Sequence, residues 1–191
     1  MKLFLQLKHW QLFGLIFGFP VVFQFFSTDI FINNTGSPLL IGFSSALMIV
    51  VSIVYFGWFY TLGTWLHKRL PAQVKLNLNR FKFCIFFPIG YMLVIFVAIG
   101  GAVTHVLPAA QFGFGVFMVI LPVHLFAMTC ILYCFRFNAK ALKSVEWMEP
   151  VKFADYAGEF FLIWFFPLGG WFIQPRINKL LEDSQMDGIV K

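Results

Sequence analysis

The chain has 191 residues, of which 60% are hydrophobic and only 12% are charged, and its net charge at pH 7 is +6. Soluble globular proteins carry about 25% charged residues, so this composition excludes an ordinary soluble domain and indicates an integral membrane protein. The polar stretches are too short for a separate soluble domain or a platform for nucleic acid, so no nucleic-acid partner is expected. The sequence predicts a single membrane domain over residues 1–191.

Four apolar segments are long enough to cross a hydrocarbon core of about 30 Å, which takes about 20 helical residues. They contain no Asp, Glu, Lys or Arg, and they lie at about residues 10–28, 39–66, 83–107 and 112–135. The first resembles a signal peptide, but it contains Pro20 and Gln24 and no small-residue cleavage site follows it. We interpret it as an uncleaved span, so the expected fold is all-α with four transmembrane helices.

The orientation follows from the Lys and Arg residues, which are retained on the cytoplasmic side during insertion. With the N-terminus inside, all 14 of them fall in inner segments, and the outer loops near residues 29–38 and 108–111 hold none. We therefore predict a multi-pass protein of the cell inner (plasma) membrane with both termini in the cytoplasm.

The segment at about residues 153–181 begins as an amphipathic helix and is uncharged from Phe160 to Ile173. A full crossing here would move Arg176 and the residues after it outside, which the charge distribution disfavours. Pro167 disrupts a helix interior, and the two following glycines permit the chain to reverse. We expect a short helical hairpin that turns at the Pro-Gly break and dips into the membrane. A helix lying flat in the interface and a fifth span are the alternatives.

Polar residues inside the spans are candidates for chemistry, because ionisable groups are costly there. The only ionisable residues of that kind besides thiols and phenols are His105 and His124, and the register of antiparallel spans keeps them from sharing a metal ion. His124 follows Pro122, whose break frees a carbonyl. It is either a hydrogen-bonded structural residue, a proton relay or a metal ligand.

The three cysteines, Cys84, Cys130 and Cys134, all lie in apolar runs, unlike the cysteines of a secreted disulfide framework. Antiparallel pairing of the third and fourth spans brings them to similar depth. They are weak candidates for a soft metal site, and small buried hydrophobes are the ordinary alternative. No metal and no cofactor are therefore expected.

Two basic or polar clusters are predicted at the inner edge of the bundle. The first is expected to contact anionic lipid head groups, at about 1 kcal/mol per basic residue. It comprises Lys68, Arg69, Lys75, Arg80 and Lys82. The second follows the Pro-Gly break and is the place where a ligand, lipid or partner is expected. It comprises Trp171, Gln174 and Arg176.

The sequence contains no nucleotide-binding glycine motif, HExxH, GxSxG or paired intramembrane carboxylates. An accessory, assembly or interaction subunit without enzymatic activity, bound to a protein partner or to copies of itself, is the preferred interpretation. A small channel or transporter, in which His124 and other polar residues line a path, is the alternative. A membrane enzyme acting on lipid or quinone, with His124 or Arg176 in its site, is less favoured.

The C-terminal stretch Phe165-Phe166-Pro167-Leu168-Gly169-x-Trp171-x-Ile173-Gln174-Pro175-Arg176-x-Asn178 resembles the ending of small, uncharacterised four-span bacterial inner-membrane proteins. The resemblance covers about 20 residues. It implies the same compartment and no particular activity.

The predicted topology can be tested with Asn178→Cys and a membrane-impermeant maleimide. We expect reaction from the cytoplasmic side only, because residues 153–181 are predicted not to cross the membrane. Asn33→Cys, in the first outer loop, is the matched control and should react from the outside only. Labelling of position 178 from the outside alone would contradict both the topology and the inner location of Gln174 and Arg176.

Overall fold

The structure is a computed structural model that describes residues 3–25, 38–103 and 114–189. The regular structure in these ranges is entirely helical, which confirms the predicted all-α class. The helices are α1 (Leu3–Gln6), α2 (His9–Phe25), α3 (Pro38–His67), α4 (Leu78–Val103), α5 (Phe114–Trp147), α6 (Phe153–Trp164) and α7 (Phe166–Ile189). A π-helical turn, Gly14–Gly18, lies within α2.

Three helices contain segments long and apolar enough to cross a membrane, so the chain is a multi-pass membrane protein. The segments are Ala46–His67, Leu78–Ala98 and Met118–Trp147, and they correspond to the second, third and fourth predicted spans. The pair formed by α6 and α7 adds a fourth if the bent pair is one span. The first predicted span is represented by the shorter helix His9–Phe25, and its crossing stays a prediction.

Several predicted boundaries fall outside the ranges that the structure describes. The end of the first span, the end of the third span with His105, the start of the fourth, and both outer loops lie outside the described residues. The end of the fourth span can be compared, because α5 continues beyond residue 135 to Trp147. The Lys and Arg residues after position 135 mark where the apolar stretch ends, but they are good helix formers and do not end the helix.

The described residues fall into two compact units. Unit 1 comprises Met1–Val74 and Asn138–Lys191, and unit 2 comprises Lys75–Phe137. The single membrane domain predicted over residues 1–191 stays a prediction.

The core of unit 1 is built on one face of α3. Trp58, Leu62 and Leu66 recur every four residues, so they lie on the same side of the helix, and all three are fully buried. Helix α3 packs against α1 and the π-helical turn, while α7 packs against α1, α2 and α6. The short N-terminal helices are therefore held between two long ones.

Unit 2 is a pair formed by α4 and the first part of α5. Phe81 stacks on Phe137 with ring centroids 4.2 Å apart, and Phe87 meets Phe126 edge to face at 4.8 Å. The two helices are antiparallel, because positions that advance along α4 meet positions that go back along α5. Aromatic packing of this kind contributes about 0.5–1.5 kcal/mol per pair beyond burial.

The bend between α6 and α7 lies at Phe165, and it differs in detail from the turn predicted at Pro167 and the glycines. The two helices are bent by 117°, and Phe165 takes φ −88° and ψ 55°, outside the helical region. Pro167 falls in the first turn of α7, where its missing N–H is not needed. The chain after the break is a 24-residue helix, so the expectation that Gly169 and Gly170 reverse the chain is wrong.

Gly169 instead permits a close approach of two backbones. A Cβ atom at this position would lie 1.6 Å from the carbonyl oxygen of Leu162 in α6. No side chain fits there unless one helix moves, so glycine is required by contact rather than by conformation. The elbow between α6 and α7 therefore depends on a residue without a side chain.

Replacement of Gly169 by alanine should lower the free energy of unfolding by about 3 kcal/mol, the upper end of overpacking costs. Gly158→Ala in α6 is the matched control, because nothing lies within 4 Å of a Cβ atom there. This control should be neutral or stabilise the protein by up to about 1 kcal/mol, since alanine favours helix more than glycine does. Thermal unfolding in detergent measures both. Equal midpoints for the two variants would contradict the close approach.

Candidate functional site

The side-chain amide of Gln174 joins three parts of unit 1. Its Oε1 atom accepts a hydrogen bond from Trp58 Nε1 of α3 at 3.0 Å. Its Nε2 atom donates to the carbonyl oxygens of Leu5 and Leu7 at 3.0 and 2.8 Å, and it lies 3.2 Å from Asn178 Oδ1. Gln174 and Trp58 are both fully buried. Every polar atom of this buried amide therefore has a partner, as burial requires.

The partners of Gln174 explain why an amide is needed. Helix α1 has only four residues, so its carbonyl groups cannot be satisfied by a following helical turn. The Gln174 amide supplies donors to two of the carbonyls in this region, and Asn178 Nδ2 donates to Leu7 O at 3.4 Å. Helix α7 thus caps the N-terminal segment from the side.

Arg176 belongs to a cluster of four charged side chains. It binds Glu146 through two nitrogen atoms, with Nε 2.7 Å from Oε1 and the second bond formed by a terminal nitrogen and Oε2. The same terminal nitrogen lies 2.8 Å from Glu159 Oε1. Lys143 Nζ completes the cluster at 3.1 Å from Glu159 Oε1. Two cations and two carboxylates tie α5, α6 and α7 together with no net charge.

Burial differs across this charge cluster. The Glu159 side chain is only 8% exposed, whereas the Arg176 side chain is 32% exposed. Lys143 also lies 4.5 Å above the ring of Trp147, a distance suited to a cation–π contact. Because Glu159 has two cationic partners, its carboxylate is the best shielded group of the four.

Trp171, the third candidate on α7, faces outward. It is 44% exposed, and its ring lies 4.7 Å from that of His9 and 5.7 Å from that of Phe13 in α2. Gln174, Arg176 and Trp171 therefore share a helix, but they contact the N-terminal segment, the acidic residues and the aromatic surface of α2 respectively. They do not converge on a common reacting centre among the described residues.

His124 lies in unit 2, where its Nδ1 atom is 3.3 Å from the hydroxyl of Tyr91 on α4. The two rings lie at 5.8 Å. His124 is exposed and Tyr91 is half-buried. The hydrogen bond agrees with the structural interpretation of His124.

The three cysteines are free thiols; Cys84 is half-buried, while Cys130 and Cys134 are buried. Within residues 3–25, 38–103 and 114–189, no three His, Cys, Asp or Glu side chains come together in a group that could hold a metal ion. Cys134 Sγ lies 4.0 Å from the carbonyl oxygen of Phe81. The thiols therefore pack between the two helices of unit 2.

The residues predicted to contact lipid head groups are mostly accessible. Lys68, Lys75 and Arg80 are exposed, and Lys82 is partly so. Arg69 differs, because its guanidinium lies 4.0 Å above the ring of Trp65. Burial lowers the pKa of Arg69 from its ordinary value, but an arginine side chain stays protonated in proteins.

The sequence did not indicate that Lys143, Glu146 and Glu159 would join Arg176 in a charge cluster. A signal for Glu159 was present, because a carboxylate directly before a long apolar run must find a partner if the run is buried. Lys143 and Glu146 lie in a segment whose composition indicates a solvated, basic surface. Nothing local distinguishes them from other charges on that segment.

Taken with the three apolar helices, these features define an all-helical, multi-pass membrane protein in which Gln174 and the charge cluster bind groups of the same chain. Comparison with models of protein families, with curated proteins and with solved structures found no match.

Replacement of Gln174 by leucine should destabilise unit 1, because Trp58 Nε1 and Leu5 O lose their partner and Leu7 O keeps only the longer bond from Asn178. Each buried unpaired group costs about 1–3 kcal/mol, so we expect a loss of at least about 2 kcal/mol. Protease cleavage within residues 3–8 should become faster as the N-terminal segment is released. Asn178→Ala, which removes a longer bond from the same helix, should cost less than half as much. A stable Gln174→Leu protein with a protected N-terminus would contradict the capping role.

Proposed function

We propose that this protein is a non-enzymatic accessory or assembly subunit that binds a partner protein in the membrane. The observation that carries the proposal is the engagement of Gln174 and Arg176 by intramolecular partners, at distances of 2.7–3.0 Å for their main bonds. Polar groups that fasten helices together are not free to bind substrate. Their arrangement supports a rigid scaffold rather than a reaction centre.

An exposed aromatic strip on unit 1 supports a partner-binding role. It consists of four exposed residues, Phe153, Phe161, Trp164 and Phe165, and the half-buried Phe160. Their rings are linked by successive contacts of 5.4–6.4 Å. Trp164 and Phe165 are 48% and 61% exposed. Protein interfaces are enriched in aromatic residues. The strip is held in place by the charge cluster, because Glu159 lies on the same helix.

The proposed location is the cell inner membrane with both termini in the cytoplasm. The distribution of all 14 Lys and Arg residues over the predicted inner segments supports it. The resemblance of the C-terminal stretch to small bacterial inner-membrane proteins points to the same compartment.

A small channel or transporter is the second candidate, and the Tyr91–His124 pair is the observation that favours it. The pair lies within the apolar segments Leu78–Ala98 and Met118–Trp147, and His124 is exposed there. A polar pair on the surface of an apolar helix could line a path between copies of the chain. Proton relays in membrane proteins use such groups.

The accessory role can be tested with a photo-crosslinking amino acid in place of Trp164, in native membranes. We expect one crosslinked product of discrete mass that contains a second protein, identified by mass spectrometry. The matched control is the same substitution at Val97 of α4, which is 74% exposed and apolar and should give lipid adducts only.

Two results would count against the accessory role. Lipid adducts alone at position 164 would mean that the aromatic strip faces the bilayer. An ion or solute flux in liposomes that is lost in His124→Ala would favour the channel or transporter instead. The accessory proposal expects liposomes with the purified protein to stay impermeable.

A further inference from the structure

A groove of about 530 Å³ opens on unit 2 between the start of α4 and the middle of α5. Its volume lies in the range of about 300–1,000 Å³ that is typical of ligand clefts. One end is formed by the polar residues Asn77, Asn79 and Arg80, and most of the remainder is apolar, with Phe83 and Phe126 among its walls. The groove is therefore amphipathic along its length.

The polar end carries a positive charge. The Asn77 Oδ1 atom accepts a hydrogen bond from the Arg80 backbone N–H at 3.0 Å, so Asn77 caps α4. The Arg80 side chain is exposed, and it forms no ion pair within the part of the chain that the structure describes. An arginine with free donors beside two amide side chains suits an anionic phosphate group.

The apolar end suits a hydrocarbon chain. Phe83 and Phe126 are 56% and 47% exposed, and their ring centroids are 6.4 Å apart. Both belong to segments apolar enough to cross a membrane. At 1.5 Å per helical residue, the groove wall from Arg80 to Cys84 extends about 6 Å along the axis of α4. A molecule with its head at Arg80 would therefore place a chain along the aromatic walls.

We propose that this groove binds an anionic phospholipid, with the phosphate group at Arg80 and an acyl chain between Phe83 and Phe126. A free phosphate ion would leave the apolar walls unused, and a zwitterionic lipid would bring its own cation towards the Arg80 charge. Basic pockets between membrane helices bind anionic head groups for these reasons. The site lies in unit 2 and is independent of the aromatic strip and of the accessory role.

The chain contains a reporter for occupancy of the groove. Cys84 lines the groove and is half-buried, whereas Cys130 and Cys134 are only 3% and 4% exposed. Alkylation of Cys84 by a maleimide should therefore be slowed by a bound acyl chain. Peptide mass mapping distinguishes the three thiols.

The experiment measures the alkylation rate of Cys84 in the full chain in detergent, during titration with phosphatidylglycerol or with phosphatidylcholine of the same acyl chains. We expect phosphatidylglycerol to protect Cys84 at lower concentration. Arg80→Gln should raise the protecting concentration of phosphatidylglycerol about fivefold and remove the difference between the two lipids. Lys179→Gln is the matched control, since Lys179 is an exposed cation that lies neither in the groove nor among the residues predicted to contact lipid head groups, and it should leave the difference unchanged.

A second variant, Thr129→Phe, tests whether the chain occupies the groove. Thr129 is exposed and lines it, so a phenyl ring there should fill the space and abolish protection by either lipid. Equal protection by both lipids in the unaltered protein, or an unchanged preference in Arg80→Gln, would overturn the proposal. Protection by inorganic phosphate as strong as that by phosphatidylglycerol would also overturn it. If Thr129→Phe does not fold, the comparison of Arg80→Gln with Lys179→Gln still decides.

Discussion

The bonds of the Gln174 amide are the interaction on which unit 1 depends. A helix of four residues such as α1 is too short to be stable alone, and its carbonyl groups need donors that the segment itself does not have. Gln174 supplies them from α7 while accepting a bond from Trp58 of α3. A shift of α7 by one residue would turn this side chain by about 100° and break all of these bonds. The amide therefore sets the register of α7 as well as the position of the N-terminus.

The charge cluster of Arg176, Glu146, Glu159 and Lys143 fixes how α5, α6 and α7 pack together more than it adds to the net stability. Taking ions out of water costs several kcal/mol each, and their attraction roughly offsets that cost when the geometry is good. Removing one member, however, leaves an uncompensated charge and costs about 3–5 kcal/mol. Alternative packings of α6 against α7 are therefore disfavoured strongly. Together with the close approach at Gly169, this makes the elbow a fixed feature of the unit.

The helices could be predicted from the sequence, but the side-chain contacts that hold them together could not. Long uncharged runs indicated three of the membrane-spanning segments, because helix length and apolarity are local properties. Gln174 and Arg176 were also singled out, since polar side chains after an apolar run are conspicuous. Their partners could not be found, because Leu5 and Trp58 lie 169 and 116 positions from Gln174. Gly169 was misread for a related reason: its role depends on Leu162 of another helix, whereas its turn-forming capacity is visible locally.

The basic residues fall into two groups, those paired inside the charge cluster and those exposed at the surface. Because the cluster contains two cations and two carboxylates, it contributes nothing to the net charge of +6. That whole excess is carried by other residues, among them the exposed Lys68, Lys75 and Arg80. Accessible cations of this kind attract anionic head groups at about 1 kcal/mol each, while the paired cations do not. The acidic residues of α5 and α6 thus pair with the basic side chains that hold helices together, and the other exposed cations stay available for the proposed contact with a lipid surface.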